Sequence, residues 1–150
     1  MHHAKDHMLV NHWMTPNPQI VGPEVSVRSA FYTMRSQGFR HLVVIEDGKL
    51  AGIVTDRDLR RPDLSPEPDG WNDYYQLDED YEVRHVMTTR VETVAPGDPL
   101  EKALRLFVAR RFGALPVVDR IGRVVGILSV HDVLRAFEAH LGREMEAAID

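Results

Sequence analysis

Cysteine is absent from the 150 residues. Disulfides, thiolate metal sites and cysteine nucleophiles are therefore excluded. No apolar run approaches the roughly 18 residues of a membrane span, and no signal-peptide pattern stands ahead of the first motif. The expected setting is cytoplasmic, without a membrane partner. Positive charge is not in excess: 18 Lys and Arg stand against 23 Asp and Glu, for a net charge of −5. A nucleic-acid partner is not expected, because that function needs a basic footprint. Also missing are a Gly-x-x-x-x-Gly-Lys phosphate loop, a Gly-x-Ser-x-Gly elbow and a paired-histidine zinc helix. Asp56, Asp58, Asp132, His41 and His131 are accordingly read as non-catalytic, and no enzyme is expected.

What the chain does have is a repeat. Gly52-Ile53-Val54-Thr55-Asp56-Arg57-Asp58 returns as Gly126-Ile127-Leu128-Ser129-Val130-His131-Asp132. Upstream, Met14-Thr15 returns as Met87-Thr88, Pro23 as Pro96, Ala30 as Ala103 and Phe39 as Phe112. The offset is 73 residues at the start and 74 at the end, so one residue is gained near Gly48/Gly122, where a hairpin turn would sit. Two copies of one supersecondary unit are implied. Each is of a size at which folding alone is marginal, so mutual burial is the cheaper expectation.

Each copy reads as β-α-β-β-α. A polar lead-in precedes a brief β segment at residues 19–21 or 92–94, which Pro23 or Pro96 ends. Val27, Ala30, Phe31 and Met34, and in the second copy Leu100, Ala103, Leu104 and Phe107, step as one helical face. Gly38 is placed to end the first helix, with Arg111 at its counterpart. Strands at 41–45 and 50–54, and at 115–118 and 124–128, flank the turns. Thr55 and Ser129 then open a second helix. Pro62, Pro66 and Pro68 stop the first of these, whereas the last runs over about 130–148. Val133, Leu134, Phe137, Leu141 and Met145 mark its apolar stripe, expected to pack in the core or else against another subunit. The division is a flexible leader (1–9), a first unit (10–60), a linker (61–80) and a second unit (81–150). Trp71, Tyr74 and Tyr75 suggest that part of the linker packs. His2, His3, His7 and His12 are read as a frayed leader rather than a metal site, and no metal is expected.

The Gly-h-h-[Thr/Ser]-x-x-Asp turn sets a hydroxyl at a helix start and a carboxylate one turn on. Taken once, it is a capping box. Three features favour a ligand. The acid is Asp both times, although Glu or Gln reaches further. A glycine sits three residues ahead, where backbone could approach something closely. The turn also meets a helix N-terminus, which favours a phosphate. An acceptor-only Asp could take both hydroxyls of a ribose, through charge-assisted bonds of about 1.5–3 kcal/mol each.

These residues resemble the CBS domain, named for cystathionine β-synthase, two of which form a Bateman module. The resemblance rests on both Met-Thr lead-ins, Arg40-His41-Leu42-Val43-Val44, Leu115-Pro116-Val117-Val118-Asp119 and both turns. It implies an α/β fold of the α+β kind, a pseudo-two-fold pair of β-α-β-β-α units with adenosyl ligands in clefts between them. It implies that Asp58 and Asp132 hold ribose hydroxyls. Thr55, Ser129, Arg57, His131, Arg40 and His41 would meet phosphate or ribose. Pro18, Ile20, Val91, Thr93, Ile53 and Ile127 would line the adenine slots. The two clefts would be unequal, since Gly113-Ala114 replaces Arg40-His41 and His131 replaces Arg57.

The function expected is a regulatory module sensing AMP, ADP, ATP or S-adenosylmethionine, with no required cofactor. A regulated partner would read its changed orientation, and the module would form a homodimer. The alternative is a ligand-independent assembly module.

Overall fold

The computed structural model describes residues 8–60, 81–110 and 112–149. Expectations that fall on His2, His3, His7, Pro62, Pro66, Pro68, Trp71, Tyr74, Tyr75 and Arg111, and on the linker as a whole, lie outside these. Among the described residues the order is α1 (Val10–Trp13), β1 (Thr15–Pro16), β2 (Ile20–Val21), α2 (Val27–Gln37), β3 (His41–Glu46), β4 (Lys49–Thr55) and α3 (Asp56–Leu59). A 3₁₀ turn (Val83–His85) follows, then α4 (Leu100–Ala109), β5 (Ala114–Val118), β6 (Val124–Ser129) and α5 (Val130–Ile149). The described residues form two compact units, those within 19–91 and those within 1–18 and 92–150. These do not coincide with the consecutive copies read from the sequence.

In the unit of residues 19–91, β2 runs parallel to β3, and β3 antiparallel to β4. Ser26 caps α2, its hydroxyl accepting from the Ser29 N–H at 3.0 Å. Gly38 ends that helix in the left-handed region at φ 74°, a conformation that costs glycine little. Val27, Ala30 and Met34 are buried against Leu42, Val44 and Val54 of the sheet, with Phe31 partly buried beside them. Because strand side chains alternate, Val43 and Ile53 point to the other face. Both are buried, yet neither belongs to the α2 cluster.

The other unit keeps the antiparallel hairpin, β5 with β6, but its third strand is β1, which runs antiparallel to β6. Leu100, Ala103, Leu115, Val117 and Leu128 form its core with Val133 and Ala136 of α5. The expected β segment at 92–94 is reduced to one parallel bridge, Val94 to Val117. Leu104 is not on the buried face of α4, being 46% exposed, while Leu106 and Phe107 pack on the core. At 100° per residue the inward side is centred between Leu100 and Leu106, which turns Leu104 outward. On α5 only Val133 of the expected stripe is buried. Leu134, Phe137, Leu141 and Met145 are exposed, so packing on the unit's own core does not account for them.

The hairpin turns explain the inserted residue. Asp47 and Gly48, both at positive φ (52° and 78°), form a two-residue connection. In the second copy Asp119 pairs with Arg123 through an N–H···O bond of 2.9 Å, which leaves three residues in the loop. Gly122 there takes φ 87°.

The lead-ins cross over between the copies. Thr15 and Pro16 pair with Ile127 and Gly126 of the second copy. The Met87-Thr88 lead-in reciprocates, with Thr88 and Ile53 exchanging N–H···O bonds of 2.9 and 3.1 Å. The segment just upstream also takes part. The Leu100 N–H donates to the Met8 carbonyl at 2.7 Å, as the Val27 N–H does to Tyr81 at 2.9 Å.

Candidate functional site

Both Thr/Ser-to-Asp turns close on themselves in the same way. The Thr55 N–H donates to Asp58 Oδ2 at 2.9 Å, and the Asp58 N–H donates to Thr55 Oγ1 at 3.1 Å. The Ser129 N–H reaches Asp132 Oδ2 at 2.8 Å, and the Asp132 N–H reaches Ser129 Oγ at 3.1 Å. Asp is thus long enough to complete a capping box, so its short reach does not argue against capping.

The paired glycines also have a different reason from a ligand. A Cβ on Gly52 would lie 2.6 Å from the Thr88 carbonyl oxygen and 2.9 Å from Met87 Sδ. One on Gly126 would lie 3.0 Å from the Thr15 carbonyl oxygen and tighter still against Met14 Sδ. The close approach is that of the crossed lead-in. The third feature, a strand ending on a helix start, stands unequally. α3 has four residues and α5 twenty, so far more peptide dipoles align behind Ser129 than behind Thr55.

The sheet register shows what surrounds each turn. Ile20, Val43 and Ile53 stand abreast across β2, β3 and β4, and His41 stands opposite Thr55 in the next paired row on that face. In the other unit Pro116 and Ile127 stand abreast with Thr15, and Ala114 opposes Ser129. These rows lie on the sheet face that does not pack the unit's helical core. An apolar strip ending in hydroxyl and carboxylate therefore occurs twice. The first has an imidazole beside its hydroxyl and the second a methyl group.

By unit, Ile20, Arg40, His41, Ile53, Arg57 and Val91 accompany the Thr55–Asp58 turn; Pro18, Thr93, Ile127 and His131 accompany the Ser129–Asp132 turn. Ile20 is 54% exposed, and Arg57 and His131 are exposed, while Pro18, Val91 and Thr93 are half-buried. Arg40 lines an open cavity of about 330 Å³ beside α2, with Phe31, Phe39, Asp56 and Arg60. Thr93 lines another of about 580 Å³ along α4, with Leu106 and Arg105.

Sequence reasoning missed Arg135. Its Nη2 donates to Asp132 Oδ1 at 3.0 Å, and its guanidinium lies over the Trp13 ring, 5.8 Å from the centroid. Asp132 is only 6% exposed, and a buried carboxylate needs such partners. Extending the repeat by three residues would have found it, because Arg61 holds the same place after Asp58. Arg61 is outside the described residues.

A tandem α/β unit, with a hydroxyl and an acid closing a capping box at each strand-to-helix turn, defines a class of duplicated α/β domain pairs. The sequence model described as CBS domain matches residues 10–64 and 83–139. The chain belongs to the CBS domain family and carries two copies of the domain. It is 32% identical over 148 residues to the CBS domain-containing protein CBSX2 of Arabidopsis thaliana, a match covering 85% of this chain and 62% of that protein. The solved structure of CBSX2 in complex with AMP superposes with a TM-score of 0.70 at 32% identity, over 87% of this chain and 96% of that one. The arabinose 5-phosphate isomerase KdsD of Pseudomonas aeruginosa is 38% identical over 117 residues, 74% of this chain and 32% of the isomerase. The chain thus spans less than two thirds of these curated relatives. Among the described residues, no helix is long and apolar enough to cross a membrane.

Proposed function

We propose that the chain is a regulatory binding module, without catalysis of its own, for an adenosyl ligand such as AMP, ADP, ATP or S-adenosylmethionine. The observation that carries this reading is the doubled Thr/Ser–Asp turn at the end of an apolar strip on the sheet face opposite the helical core. Asp58 and Asp132 accept from the ribose hydroxyls, and Thr55 and Ser129 contact ribose or phosphate. Ile20, Ile53, Val91, Pro18, Thr93 and Ile127 shelter the adenine. A purine gains from an apolar slot while polar groups fix its orientation. His41, Arg40, Arg57 and His131 supply the polar and cationic contacts, fewer of them in the second copy. Support comes from the AMP complex of CBSX2 and from the cytosolic domain of the Mg2+ channel MgtE in complex with ATP, 26% identical with a TM-score of 0.67 over 88% of this chain.

Ligand binding signals to a partner only if it favours one arrangement of the module over another. Titration calorimetry with each of the four ligands tests the reading. Binding by the wild type, weakened in Asp58→Ala or Asp132→Ala variants that remain folded, is the expected result. Nucleotide-free protein that binds none of the four would overturn it, and nucleotide turnover by the purified chain would overturn the absence of catalysis.

A second role, assembly into a homodimer, is favoured by the exposed row of Leu134, Phe137, Leu141 and Met145 on α5. Light scattering is expected to give twice the chain mass, falling to one in Phe137→Glu. A wild-type monomer at micromolar concentration rejects it.

A further inference from the structure

Asp132 is the one charged side chain buried among the described residues. A carboxylate offers about four lone-pair sites. Here the Ser129 N–H occupies one on Oδ2 and the Arg135 guanidinium one on Oδ1. Two remain, one on each oxygen, which is the number that a vicinal diol needs. The two bonds made within the protein thus fix the plane of the carboxylate.

Arg135 is itself held. It sits one helical turn beyond Asp132 on α5, with its side chain 51% exposed, and its guanidinium covers Trp13. Trp13 ends α1 and packs on the core of the same unit. The Asp132 end of the pair is buried and the Arg135 end is half exposed, so it is the guanidinium that needs a second contact to be held in place. The cation–π contact restricts the guanidinium to one side of the helix. The indole comes from the lead-in of the first copy and the acid from the turn of the second, so the crossed lead-in reaches the candidate ribose contact through Arg135.

We propose that Arg135, pinned by Trp13, is a positioning residue that presents the Asp132 carboxylate to the 2′,3′-diol of the ligand and sets the preference for ribose over 2′-deoxyribose. This rests on the adenosyl-binding reading above. Neutralisation of a buried charge would require only the ion pair. Presentation of a diol also requires the fixed plane, and the two differ in what the ligand's 2′-hydroxyl feels.

The test is calorimetric titration of the full chain with AMP and 2′-deoxy-AMP, in an Asp58→Ala background that leaves only the second turn to bind a diol. Arg135→Met is expected to weaken AMP by about tenfold, one charge-assisted hydrogen bond, and 2′-deoxy-AMP much less, so that the ratio of the two affinities narrows. Arg135→Lys, which keeps the charge but not the planar fork, is expected to narrow the ratio less than Arg135→Met, and this smaller narrowing is the readout if Arg135→Met does not fold. An unchanged ratio in both folded variants overturns the proposal, as does loss of all AMP binding in Asp58→Ala alone, since the second turn would then hold no diol. Failure of the unsubstituted chain to bind AMP or any other adenosyl ligand would instead remove the reading on which the proposal rests.

Discussion

At the scale of single residues, the same atoms serve the fold and the candidate site. Asp58 and Asp132 each close a capping box, so on the proposed reading their loss costs ligand affinity as well as helix stability, the latter by about 0.5–2 kcal/mol. Asp119 has a purely structural task. Its Oδ1 accepts from the Arg123 N–H at 2.9 Å and the Ile121 N–H at 3.1 Å, and its Oδ2 from Arg123 Nε at 3.1 Å. The Arg123 N–H above all holds this carboxyl below its ordinary 3.8, against a smaller opposing effect of desolvation. A depressed folded-state pKa means stabilisation that is full above the unfolded value and fades as pH falls through the folded one. Urea denaturation is expected to show wild type more stable than Asp119→Asn at pH 7, with the difference shrinking below about pH 4. A difference that persists undiminished to pH 2 would assign the turn's stability to other groups.

At the scale of elements, the crossed lead-ins decide where side chains cannot be tolerated. A Cβ at position 52 meets the Thr88 carbonyl at 2.6 Å, and that backbone is tied to Ile53 by two hydrogen bonds. At position 126 the tightest contact is instead the end of a methionine side chain. Overpacking of this kind typically costs about 1–3 kcal/mol. Gly52→Ala is expected to lower the thermal midpoint more than Gly126→Ala. Met14→Ala should recover part of the loss in Gly126→Ala, because a flexible neighbour can be removed where a carbonyl cannot. Equal losses, with no recovery in the double variant, would place the strain elsewhere.

At the scale of the whole molecule, each compact unit draws on both copies of the repeat. The unit containing β5 and β6 needs residues from the first 18, and the unit containing β3 and β4 needs Met87-Thr88. Fragments 1–70 and 71–150 are therefore expected to be largely unstructured apart and to gain secondary structure on mixing, as read by circular dichroism; independent folding of either would contradict the exchange. Sequence alone determined the duplication, the β-α-β-β-α order, the Gly38 cap, the extra turn residue and the inequality of Arg40-His41 with Gly113-Ala114. These follow from local chemistry and from comparing one copy with the other. Only the tertiary structure decided the partners of the lead-ins, because segments as short as Thr15–Pro16 and Val10–Trp13 carry no periodicity and are stabilised by what they pair with. It also turned Leu104 and most of the α5 stripe outward, placed Arg40 on the cavity beside α2, and set Arg135 between Asp132 and Trp13. A helical repeat fixes which residues share a face, but not which part of that face another element will cover.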